Sequence, residues 1–280
     1  MPAPSAISDQ LTKETERRAR LGVPAVAGGV LYLLSTIILS ASLSNLPTVG
    51  VLQGLASALK GEGQPLESPR AAEVRYIDHH AFGLIAGSAL TAIAVSLLVV
   101  ILMFILDAAH FRRPETWSAA RPLVLVGGIA VALLNVVHEV ILVVEAHSFT
   151  TGADFSGAAV DRALLTSGSL GVLLGLAGLV AALSLTVGMI ATMVGSMRAG
   201  LLPRWLSVLG IFAGLLFLPL FGANTLQLIP TFWMVATGIL LLGRLPGGDP
   251  PAWAAGEARP WPTQAEVRAE RERQKSEGAA

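Results

Sequence analysis

Pro122-Leu-Val-Leu-Val-Gly-Gly-Ile-Ala-Val-Ala-Leu-Leu-Asn135-Val-Val-His138-Glu139-Val-Ile-Leu-Val-Val144 decides how the chain is read. Up to Leu134 it contains no charged residue, and its length matches the roughly 20 apolar residues that a helix needs to cross a bilayer. An ionisable pair inside such a run costs a few kcal/mol or more, so His138 and Glu139 require compensation. They are the best functional clue in the sequence.

Composition supports the same reading. The chain is 53% hydrophobic and only 14% charged, with a mean hydropathy of +0.67. A soluble domain carries about a quarter charged residues. The apolar surplus falls in blocks of spanning length, so an all-α, polytopic membrane protein with a lipid-bilayer environment is expected. Net charge is zero, which gives no electrostatic case for nucleic acid. Cysteine is absent, excluding disulfides, thiolate nucleophiles and Cys-ligated metals. The bias of Arg over Lys and the wealth of Ala, Gly, Leu and Val suit a bacterial origin with a GC-rich genome.

Six segments are predicted to span: Val23 to Leu43, Phe82 to Leu106, Leu123 to Val144, Leu170 to Met193, Trp205 to Leu218 and Leu226 to Leu242. The first is longer than the roughly 7–15 residue core of a signal peptide, so it is expected to be retained. Lys and Arg concentrate in residues 1–21, in the second and fourth connections and in the C-terminal tail. Only Lys60, Arg70, Arg75 and Arg162 lie on the other side. The positive-inside rule then places both termini in the cytoplasm and the protein in the inner cell membrane. The expected organisation is a cytoplasmic tail (1–21), a six-helix transmembrane domain (22–244, with an outer loop at 44–80) and a cytoplasmic Pro/Trp-rich tail (245–280).

Within the outer loop, Ser68-Pro69 reads as an N-cap and first helical residue, opening a helix that could run through His80 into the second span. The second outer loop, Ala146 to Asp161, reads as irregular. Gly168, Gly171, Gly175 and Gly178 recur at helical spacing, and Gly171 with Gly175 forms a G-x-x-x-G pair suited to close helix packing within the bundle. The prolines from Pro246 to Pro251 argue against regular helix. Trp253 and Trp261 suit the headgroup layer, and Thr263-Gln-Ala-Glu266 is a capping-box pattern for a short polar helix to about Gln274.

Asn135, His138, Glu139 and Glu145 share one broad face of the third span. Asp78, His79 and His80 mark the outer entrance of the second span, and Asn224, Gln227 and Thr231 the outer end of the sixth. If these helices face one another, His80, Asn135, His138, Glu139, Asn224 and Gln227 line an outward-opening pocket. Three readings follow. The polar groups lock helix packing; they bind a small molecule or ion; or they serve a metal- or haem-dependent enzyme. Metal candidates are His79, His80, His138 and Glu139, and His80 with His138 is the haem-ligand pair. No H-E-x-x-H, Walker loop, dinucleotide fingerprint or G-x-S-x-G elbow is present.

Met197-Arg-Ala-Gly-Leu-Leu-Pro-Arg-Trp-Leu-Ser-Val-Leu-Gly210 resembles a signature of a group of uncharacterised bacterial six-helix integral membrane proteins. Gly28-Gly29-Val-Leu-Tyr32-Leu33 is similar to the A-G-x-x-Y-L opening of that group, with Gly28 in place of its alanine. The resemblance covers about residues 22–243, and the Pro/Trp-rich tail is similar to that of an actinobacterial branch. It implies a six-helix membrane fold and carries no activity. Leu202-Pro203-Arg204-Trp205 makes physical sense as a helix start with its basic end at the interface.

Overall fold

The computed structural model describes residues 4–47, 68–218, 228–246, 248–259, 261 and 268–269. The described part is all-helical. Its elements are α1 (Pro4–Leu43), α2 (Ala71–His79), α3 (Ala81–Arg112), α4 (Ala120–Thr151), α5 (Gly157–Ala163), α6 (Gly168–Ala199), α7 (Arg204–Leu215), α8 (Leu228–Leu241) and α9 (Pro251–Ala255). Four helices are long and apolar enough to cross a membrane: those of α1, α3, α4 and α6. The shorter apolar helices α7 and α8 have 12 and 14 residues, or about 18 and 21 Å at 1.5 Å per residue.

Consecutive long helices pack antiparallel. α1 lies between α3 and α8, α4 between α3 and α6, and α7 between α6 and α8, which closes a ring in chain order; α3 also touches α6. The core is built from Leu98, Leu102 and Ile105 of α3, Leu185, Met189 and Met193 of α6, Leu206 of α7 and Trp233 of α8. Trp233 Nε1 donates to the Leu206 carbonyl at 3.0 Å, so the largest buried side chain is also polar-satisfied. Bulk is carried outwards: on α4, Val126 and Leu133 are 65% and 61% exposed, while Gly127, Gly128 and Ala132 face inwards. Such large apolar side chains around an outer surface need lipid rather than water.

The connections differ from their sequence reading. The basic residues before the first apolar stretch are helical and form the first turns of α1, continuous with the apolar part. At Ser68-Pro69 no helix starts. Ala71 opens α2, and the Ser68 amide instead donates to the Phe155 carbonyl at 3.0 Å. The chain does not run unbroken into α3 either, because His80 leaves helical geometry at φ −102°, ψ 15°. The segment from Ala146 to Asp161, read from the sequence as irregular, is largely helical: α4 continues to Thr151, and Ser156 caps α5 by accepting from the Ala159 amide. A long apolar helix does not end where its hydrophobic stretch ends, since nothing in Glu145–Thr151 breaks it. α2 and α5 pack on the end of α4 as a second small core around Val74, Ile77, Phe149 and Val160.

The C-terminal segment also departs from expectation. Pro251 takes the first turn of α9, where its missing amide is harmless. Trp253 is not spread along a surface but buried, stacked on Phe104 with ring centroids 5.8 Å apart and donating to the Leu201 carbonyl at 3.0 Å. The guanidinium groups of Arg18 and Arg112 lie 5.1 and 5.3 Å from its ring centroid. The helix read at Thr263–Gln274 lies mostly outside the described residues.

Candidate functional site

α4 and α6 touch closely in the half of the bundle nearer the basic residues and part in the other half. A Cβ on Gly127 would stand 2.5 Å from the Leu185 amide nitrogen, and one on Gly188 would stand 2.8 Å from that of Val124. Glycine is required there for the backbones to meet. Farther along, Gly175 and Gly178 have nothing within 4 Å of where a Cβ would be. These glycines therefore do not mediate the close packing expected of them. They line one wall of a cavity of about 330 Å³.

Opposite that glycine wall stand Val131, Leu134, Asn135, His138 and Glu139 of α4, with Phe217 contributing from beyond α7. Spacing of three and four residues puts this set on one helical face. Leu165 borders the cavity near the start of α6. It is the one described non-glycine residue with positive φ, at 55°, a conformation costing on the order of 1–3 kcal/mol. Its carbonyl lies against Gly171, where a Cβ would clash.

The polar chemistry is concentrated on α4. His138 Nδ1 approaches Glu139 Oε1 at 3.8 Å, too long for a hydrogen bond. The side chains are 48% and 22% exposed, respectively. Glu139 Oε2 and Asn135 Oδ1 are buried and have no hydrogen-bond partner among the described residues. Asn135, His138 and Glu139 thus line a mainly apolar cavity, and the two buried acceptors lie beneath its surface, an arrangement complementary to a hydrogen-bond donor or a cation. Such unsatisfied buried acceptors are uncommon and demand a physical reason.

Three of the six expected pocket residues come together: Asn135, His138 and Glu139. His80 does not line this cavity. It stacks on Tyr76 at 4.0 Å between centroids, and its Nδ1 lies 2.9 Å from the Tyr76 carbonyl. Asn224 and Gln227 lie outside the described residues. The facing of the third span with the sixth is replaced by packing of α4 on α3 and α6, while α8 packs on α1 and α7. Among the described residues no three His, Asp or Glu side chains form a group able to hold a metal ion, so His79, His80, His138 and Glu139 do not converge as such a set.

Asp78 at the same end takes a different role. Its Oδ1 lies 3.1 Å from His147 Nδ1, and its Oδ2 accepts from Thr150 Oγ1 at 2.7 Å. These bonds fasten α2 to the extension of α4, a contact with no sequence signal. Gly175, Gly178, Leu165 and Phe217 were also missing from the sequence-based pocket. The glycine stripe was visible, but periodicity cannot distinguish a helix contact from a cavity wall. No protein-family model matches the chain, and neither a curated protein nor a solved structure matches it.

Proposed function

We propose that the chain is a six-span integral membrane protein of the bacterial group that residues 197–210 resemble, and that its α4–α6 cavity binds a small ligand or ion. The excess of Lys and Arg supports an orientation with both termini in the cytoplasm, which turns the cavity towards the outer half of the inner membrane. In this arrangement α7 and α8 form the fifth and sixth spans. The observation that carries the binding reading is that two residues lining a mainly apolar cavity, Glu139 and Asn135, each keep a buried oxygen, Oε2 and Oδ1, with no hydrogen-bond partner among the described residues. A cationic or donor-bearing group attached to an apolar body suits that lining. Backbone strain stored at Leu165 is of the kind that clusters at ligand clamps.

The test is a thermal-unfolding titration of purified protein with lipophilic amines and with small monovalent cations. Stabilisation that saturates in the wild type and disappears in Glu139→Gln supports binding. No stabilisation by any of these probes, with unchanged unfolding of Glu139→Gln, removes the ligand reading.

A further inference from the structure

A second cavity, of about 290 Å³, lies at the basic end between the α3–α4 connection and the last turns of α6. Arg113, Thr116 and Trp117 contribute from the connection, and Ala191, Val194 and Arg198 from α6. Among the described residues, Arg113 is engaged by the exposed Glu115 alone, Nη2 to carboxylate at 3.3 Å. Arg198 is exposed and makes no ion pair or hydrogen bond with any described residue. Counting Glu115, the lining retains one uncompensated positive charge. Trp117, half-exposed, is the residue type that settles at headgroup depth.

The surface below this cavity is the second observation. Arg198, Val194, Ala191, Val187, Leu183 and Val180 follow one another at intervals of three or four along α6 and therefore form one face. Val187, Leu183 and Val180 are all exposed. From Arg198 to Val180 this face extends about 27 Å, leading from the charged rim into the depth expected for hydrocarbon. A free inorganic anion would use the rim alone, whereas a lipid whose phosphate sits at the rim also lays a chain along this stripe.

We propose that this is a binding site for an anionic phospholipid carrying one phosphodiester charge. Arg198 and Arg113 hold the phosphate, the Thr116–Trp117 segment borders the headgroup, and an acyl chain lies along Val194, Val187, Leu183 and Val180. The site is separate from the α4–α6 cavity and requires only that the long apolar helices sit in a bilayer. Each arginine near a membrane surface is expected to favour an anionic over a zwitterionic lipid by about fivefold.

The experiment is native mass spectrometry of the full-length protein in a neutral detergent, titrated separately with phosphatidylglycerol and phosphatidylcholine. The expected result is tighter binding of phosphatidylglycerol, with the preference reduced about fivefold in Arg198→Gln. Arg113→Gln is the second variant, and melting curves establish that each is folded. Equal binding of the two lipids by the wild type overturns the proposal. So does an undiminished preference in both folded variants. A third outcome, inorganic phosphate alone binding and displacing phosphatidylglycerol, would make this a simple anion site and equally overturn it.

Discussion

Glu139 and Asp154 illustrate how differently two carboxylates on neighbouring segments are used. Glu139 Oε2 is buried with no hydrogen-bond partner among the described residues, so Glu139→Gln removes no hydrogen bond shown there. Its expected effect on stability is under about 1 kcal/mol, measured by chemical unfolding in detergent micelles, while ligand stabilisation disappears. Asp154 sits just before α5, where Oδ1 accepts from the Ser156 amide at 2.9 Å. Bonding to the Ser156 backbone and side chain, helped by Arg162, holds its carboxyl below the ordinary aspartate value. A depressed folded-state value means that the contribution is complete above the unfolded-state value and lost as pH falls through the folded one. Protection of the Ser156 amide against exchange, taken relative to its intrinsic rate, should therefore fall in the acid range below about pH 4, and Asp154→Asn should abolish that pH dependence.

For the helices, the decisive contrast is between glycines that look alike in sequence. Gly127→Ala places a methyl group 2.5 Å from the Leu185 amide nitrogen, forcing α4 and α6 apart. Overpacking of this kind costs about 1–3 kcal/mol, which would appear as a lower unfolding midpoint. Gly178→Ala meets open space and gains up to about 1 kcal/mol from helix propensity. Gly178→Leu should fold as well as the wild type but fill part of the cavity, eliminating ligand stabilisation. Loss of folding in Gly178→Leu, or unchanged stability in Gly127→Ala, would contradict these assignments. The spacing of the glycines was legible; their roles depend on which faces α4 presents to α6.

Across the whole molecule, the basic end is locked by its own termini. Arg112 Nη2 lies 2.8 Å from Glu14 Oε2, with both side chains almost fully buried. The contact is an ion pair rather than an aligned hydrogen bond, since neither atom has a hydrogen-bond partner among the described residues. Arg112 also donates through Nε to the Ala252 carbonyl at 2.9 Å and through Nη1 to the Ala108 carbonyl at 3.0 Å. Arg18 grips Asp249 with both Nη atoms, at 3.0 and 2.5 Å. Residues distant in sequence thus hold α1, α3 and the C-terminal segment together around Trp253. Arg112→Ala strips the buried Glu14 carboxylate of its partner and should cost about 3–5 kcal/mol. Adding Glu14→Leu should recover much of that loss, because the stranded charge is removed with its partner. A double variant no more stable than Arg112→Ala would show that the backbone contacts to Ala252 dominate instead.

Residue pattern alone establishes that the chain is helical and built from long apolar segments. Burying or embedding such segments is a property of composition and length, and each can be read alone. It also singled out Asn135, His138 and Glu139, because polar residues at three- and four-residue spacing in an apolar helix declare a shared face. What that face meets depends on how the helices pack. α4 turns it towards the glycine wall of α6, away from His80, because Gly127 and Gly188 permit close contact at one end and the helices separate beyond it. The capture of Trp253 was likewise invisible: a proline-rich segment reads as irregular until two arginines and a complementary apolar surface are brought to it. Local pattern specifies which residues lie together along one element, while the partner across the gap is set by steric fit among all of them.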